Sequence, residues 1–172
     1  MFYTEKKSIE STAVMAENNK YRYRLTRIWD KDKEIVGLIM LNPSKANSLK
    51  TDNTIMNLTN YLIDYKYGGF DIVNLYAYMA SVPAELKNKD QSYEIHNDSY
   101  ITQVAAKRNT FIIAWGSNKD EYVRRKRAVE NLLKPFAYKL KCFEDPQAKK
   151  PRHPLYIKDD WKLVPYQFSF IQ

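Results

Sequence analysis

The stretch "IVGLIMLNPSKAN", residues 35–47, decides how the rest of the chain is read. Its first seven residues are apolar without alternation. That is the pattern of a strand covered on both faces, in the middle of an α/β sheet. The run breaks at Asn42-Pro43-Ser44, where proline lacks the N–H a strand ladder needs. Polar residues placed there lie beyond a strand's carboxyl end, the rim where open α/β sheets hold ligands.

Upstream, "YRYRLTRIW" (21–29) alternates and reads as a strand with Tyr21, Tyr23, Leu25 and Arg27 on one side, followed by a turn at "DKDKE" (30–34). Residues 1–18 read as weakly organised. Downstream, Thr51 or Asp52 can cap a helix over about 53–66 whose apolar stripe is Ile55, Met56, Leu58, Leu62 and Ile63. Gly68-Gly69 ends it, and "FDIVNLYAY" (70–78) returns as a second buried strand. Helices are expected near 83–87 and over about 95–107, with a third buried strand in "TFIIAWG" (110–116). A basic helix follows over about 119–134, then a strand in "YKLKCF" (138–143).

Arg124, Arg125, Lys126 and Arg127 read as a solvated helix face, with Val123, Ala128 and Leu132 on the buried side. The tail "WKLVPYQFSFIQ" (161–172) reads as an edge strand packed back on the sheet, or else as a partner surface. Strands alternating with helices predict a three-layer α/β/α sandwich with a mainly parallel central sheet. One domain over 1–172, with its core at about 21–158, suits a chain of 172 residues.

A formal net charge of +8 favours an anionic partner, DNA first among them. No apolar run approaches the roughly 20 residues that span a bilayer. A lone cysteine, Cys142, excludes an internal disulfide. The expectation is a cytoplasmic protein without membrane association. Only four glycines are present and none forms a phosphate-cradling motif; there is no serine nucleophile elbow. The two histidines lie far apart without metal-ligand spacing, and Cys142 sits inside an expected strand. The pattern points away from metal-dependent and covalent chemistry, and no cofactor is expected.

Four segments follow the expected strands: "LNPSKAN" (41–47), "NLYAYMASVP" (74–83), "WGSNK" (115–119) and "PRHPLY" (151–156). They bring Asn42, Asn74 and His153 to one rim. Each has a plainer role as well: a turn initiator, a partner for buried backbone, a capping histidine.

Taken together, "IMLNPSKAN…DNT", "DIVNLYAY…P", "IIAWG" and "PRHPLYI" resemble domain of unknown function family 1643, found in bacteria and phages and associated with mobile elements, over roughly residues 21–158. The same series resembles the motifs of the uracil-DNA glycosylase superfamily. That resemblance implies a uracil-DNA glycosylase-like fold. Asn42 would then stand at the water-positioning place, with Asp52 as a second catalytic candidate. Asn74 would read the base edge, and His153 would stabilise the anionic pyrimidine that leaves. It implies base or ligand contacts from Pro43, Ser44, Tyr76, Trp115 and Gly116, and DNA contacts from Lys45, Lys150, Arg152 and the apolar wedge Leu155.

Leu41 and Ser44 replace the glycines of the first loop, and the closing loop lacks a Ser-Pro after "HP". The expected function is therefore that of a glycosylase-fold protein that binds DNA or a protein partner with little or no uracil excision. The alternatives are an active hydrolase on a modified base or nucleotide, and a module that binds an acidic, DNA-mimicking inhibitor protein. The oligomeric state is left open.

Overall fold

A computed structural model describes residues 1–171 of the chain. Seven strands form one sheet: β1 (Glu10–Met15), β2 (Arg22–Ile28), β3 (Ile35–Met40), β4 (Gly69–Asn74), β5 (Phe111–Ile113), β6 (Leu140–Glu144) and β7 (Lys162–Pro165). Four helices accompany them: α1 (Asn53–Asp64), α2 (Gln91–Glu94), α3 (Asn97–Lys107) and α4 (Val123–Leu133). Tight 3-10 turns cover Pro83–Asn88, Lys134–Lys139 and Pro154–Tyr156.

The strand order is β1-β2-β4-β3-β5-β6-β7. Strands β4, β3, β5 and β6 run parallel, while β1, β2 and β7 are added antiparallel. The sheet is thus mixed, not mainly parallel. A parallel neighbour needs a crossover long enough for a helix; the links β1–β2, β2–β3 and β6–β7 carry no α-helix, so the chain reverses at each, and β1 and β7 form the edges. The run at residues 35–41 is the central strand, as its unbroken apolarity requires: Val36, Leu38 and Ile39 have no exposure.

Each sheet face has its own core. On one side Ile55, Leu58 and Leu62 of α1 pack on Leu38, Met40, Phe70 and Ile72. On the other, Ile101 and Val104 of α3 and Val129 and Leu133 of α4 pack on Ile39, Val73 and Ile113. The chain is therefore α/β with helices on both faces. Asp71, wholly buried on β4, is held ionised by Arg24, Thr26 and Arg108 at 2.5–3.1 Å. Burial alone would raise its pKa, but these partners hold it below the usual carboxylate value.

Several local expectations change. Residues 10–15, expected to be weakly organised, pair with β2 as an edge strand. Helix α1 is capped by Asp52, whose Oδ1 accepts from Ile55 N at 3.0 Å. The helix buries Tyr61 but leaves Met56 and Ile63 exposed at its margins. It ends before Gly68-Gly69, and Lys66 takes the left-handed turn at φ 66°. Gly68 serves close approach instead, since a Cβ there would stand 2.0 Å from Asp30 O.

The buried stripe of α4 is Lys126, Val129, Glu130 and Leu133, so Ala128 is exposed, and three of the four basic residues are engaged, Arg127 by donating to Phe170 O at 2.9 Å. Arg125 donates to Leu75 O and Asp98, and Lys126 to Asn118 O. The tail does pack back, with β7 against β6. Buried Glu130 then accepts from Tyr166 Oη and from the backbone N–H groups of Ser169, Phe170 and Ile171. Among the described residues no helix is long and apolar enough to cross a membrane.

Candidate site: a cleft at the carboxyl rim of the sheet

Strand β2 departs from regular alternation at one residue. Val14 pairs with Arg24 but Met15 pairs with Arg22, so Tyr23 is an extra, bulged residue. Tyr23 and Arg24 consequently both face α3, where Tyr23 stacks on Tyr100 and Arg24 binds Asp71. Arg22, Leu25 and Arg27 are turned to the α1 side. The single stripe of Tyr21, Tyr23, Leu25 and Arg27 is thereby split between two faces.

The turned arginines hold the loop after β3. Arg22 Nη1 donates to Ala46 O. Arg27 donates to Thr51 Oγ1 at 3.0 Å, Lys50 O at 2.9 Å and Asn47 O at 3.3 Å. Asn42 closes the other end of this loop, its Nδ2 donating to Pro43 O at 2.9 Å and Ala80 O at 2.8 Å. Because both partners are acceptors, the amide orientation is fixed by chemistry, and Oδ1 is left without a protein donor among the described residues.

The loop forms one wall of a cleft of about 500 Å³, a size common for small-molecule sites. The opposite wall is residues 115–122 and the start of α4, with His153 and Leu155 closing a third side. Of the candidates named from the sequence, Asn42, Ser44, Asp52, Trp115, Gly116, His153 and Leu155 line it. Gly116 has φ +100°, a conformation side chains disfavour, though a Cβ would meet nothing nearer than His153 Cβ at 4.0 Å. The conformation, not crowding, calls for glycine there.

His153 precedes the turn Pro154–Tyr156 and caps it, Nδ1 accepting Leu155 N–H at 3.2 Å. Asn57 of α1 anchors the same turn by donating to Leu155 O at 2.8 Å. Burial lowers the imidazole pKa to about 4, with Asp52 opposing the shift. The ring is neutral at physiological pH, and with Nδ1 an acceptor its proton is on Nε2.

Asn74 is not a lining residue. It follows Phe70 and Ile72 onto the α1 face, beside its register partner Met40, which does line the cleft. It is wholly buried, and neither amide atom has a hydrogen-bond partner. Tyr76 also stands outside, packed on Tyr122 and under Lys89 and Arg125. Pro43 is buried, and its carbonyl accepts from Ala80 N.

Among the expected DNA contacts, Lys45 is exposed, while Lys150 pairs with Glu144 at 2.7 Å and Arg152 with Asp145 at 3.3 Å. Arg152 also lies over the Trp161 ring. These two basic residues brace the closing loop, on either side of the cis peptide Lys150–Pro151. Cys142 is buried, which lifts its thiol pKa to about 11 and keeps it unreactive.

Several lining residues were not foreseen, Arg22, Glu121, Tyr122 and Lys126 among them. Arg22 lies in an alternating strand and Lys126 in a basic helix run, and both patterns read as solvent-facing. Two consecutive large residues on one face, Tyr23 and Arg24, are the only sign of the bulge, and sequence spacing does not expose it.

A family model described as protein of unknown function (DUF1643) matches residues 22–155. No curated protein and no solved structure matches the chain. The matched span opens on Arg22 and closes on Leu155, both residues of the cleft, and the chain belongs to the DUF1643 family.

Proposed function

We propose that this protein is a uracil-DNA glycosylase-like base-binding domain, DNA-associated, with little or no excision of uracil. The observation that carries the reading is His153. Its Nδ1 is committed to Leu155 N–H, so its one N–H, at Nε2, is free for a ligand in the cleft. A neutral imidazole donor suits an oxygen that gains negative charge, as the O2 of a departing pyrimidine does. Asn42 Oδ1 and the second carboxylate oxygen of Asp52, which share the cleft, are acceptors that can hold a water.

Weak action on uracil follows from two features. Leu41 and Ser44 bring side chains where a close backbone approach needs none. The Asn74 amide lies beneath the lining, so reading a base edge with it requires the floor around Met40 to shift.

A second reading, an active hydrolase on a modified base or nucleotide, is favoured by Asp52, since a carboxylate is a better general base than an amide. Oligonucleotides carrying uracil or a series of modified bases, single- and double-stranded, are incubated with the protein and scored for alkali-labile abasic sites. Binding without cleavage of uracil, weakened by His153→Ala, is the expected result. Rapid uracil excision lost in His153→Ala overturns the low-activity reading in favour of the second. No binding to any of these substrates ends both.

A further inference from the structure

Arg22 and Lys126 are the two cations buried within the cleft lining, at 1% and 2% exposure. Among the described residues neither has a carboxylate within ion-pair distance. This contrasts with Arg24, Arg108, Arg125, Lys150 and Arg152, all of which are matched to acids. Their protein contacts are carbonyls: Ala46 O for Arg22 Nη1 and Asn118 O for Lys126 Nζ. Arg22 Nε has no partner at all.

A buried charge without a counter-charge costs several kcal/mol, and a carbonyl offsets only part of that. Burial accordingly pulls the Arg22 pKa down to about 10 and lowers that of Lys126. Chains avoid this arrangement unless something anionic completes it.

Two independent features point the same way. The bulge at Tyr23 is what turns Arg22 from the Asp71 side, where arginines are directly paired, to the cleft side, where the lining acids Asp52 and Glu121 oppose the loss of charge on Arg22 and Lys126 from beyond ion-pair distance. The first turn of α4 has no side-chain cap and no acidic residue; its N-cap, Tyr122, is held at φ 56°. Tyr122 and Lys126 both line the cleft, so the positive end of α4 adds to the same field.

We propose that the cleft receives a phosphate group, bound by Arg22 with Lys126 and the uncapped first turn of α4 beside it. The proposal rests on the base-binding reading only for what the phosphate is attached to. That is a nucleotide, either free or as the backbone phosphate next to an extruded base.

Isothermal titration of the full chain with inorganic phosphate, the common deoxynucleosides, their 5′-monophosphates and a short single-stranded oligonucleotide tests it. Monophosphates are expected to bind at least about tenfold more tightly than nucleosides, as one charge-assisted contact implies. Arg22→Gln and Lys126→Gln each remove most of that margin and leave nucleoside affinity in place, while Arg22→Lys keeps part of it. Should Arg22→Gln fail to fold because Ala46 O loses its donor, Lys126→Gln carries the test alone.

Nucleosides binding as tightly as monophosphates would overturn the phosphate site and leave the base-binding reading standing. Inorganic phosphate binding as well as monophosphates, with nucleosides silent, upholds the phosphate site and sinks the base reading. Binding of the oligonucleotide alone assigns the phosphate to DNA if both variants weaken it about tenfold, and overturns the site if they do not. No binding by any ligand overturns it outright.

Discussion

His153 Nδ1 accepts the backbone N–H of Leu155 at 3.2 Å, and this single bond fixes which end of the ring faces a ligand. Burial of the ring also sets an acid limit. The ordinary imidazole takes its proton near pH 6.5 and the folded one near 4. As pH falls through that interval the unfolded chain is protonated first, so stability declines, by at most about 3 kcal/mol, and levels off below pH 4. His153→Asn keeps an acceptor for Leu155 N–H and has no proton to take up. Its melting temperature, followed from pH 7 to 4, falls less than that of the parent; parallel curves mean that the ring titrates without penalty.

Asn74 is buried with both amide atoms unpartnered. Asn74→Leu removes that penalty at similar volume and raises stability by about 1 kcal/mol in urea unfolding. If the amide is held in reserve to read a base, the same variant loses ligand affinity, which would be a trade of stability against function. A destabilised variant shows instead that the amide is satisfied in solution.

Glu130 gathers the C-terminal segment through one hydroxyl and three backbone donors. Glu130→Ala leaves those donors buried or frayed and costs about 3 kcal/mol. Limited proteolysis then cuts after residue 165 much faster than in the parent. Unchanged protection of the tail means that β7 and the aromatic packing hold it unaided.

Gly116→Ala meets no steric obstacle but forces a side chain into φ +100°, at a cost of roughly 1–3 kcal/mol. Residues 115–122 shift as a result, and affinity for cleft ligands falls more than the melting temperature does. Equal affinity in the two proteins shows that the loop relaxes freely.

The sheet and the rim were legible because they rest on local rules. Residues 35–41 announce a central strand by unbroken apolarity, and Asn42-Pro43 announces its end. The start of α1 was legible as a cap at Thr51 or Asp52, and the bond from Ile55 N–H settles it on Asp52. The strand edges were less so: residues 10–15 are half-exposed and pass from polar Glu10-Ser11-Thr12 to apolar Ala13-Val14-Met15 without alternating, and only the partner β2 makes them a strand. The phase of α4 slipped because Lys126 and Glu130 are buried, against the usual fate of charged residues.

What the sequence determined by itself was the order of strands and helices from residue 21 onward, the loops that meet at the carboxyl rim, and the presence there of Asn42 and His153. These depend on residues near one another along the chain. Tertiary structure alone decided the rest. It mixed the sheet at both edges, drew Lys150 and Arg152 to acidic partners, placed Asn74 beneath the cleft lining, and turned Arg22 toward it through a one-residue bulge. Such outcomes depend on which distant groups compete for the same charge or the same face, and no spacing along the chain records that competition.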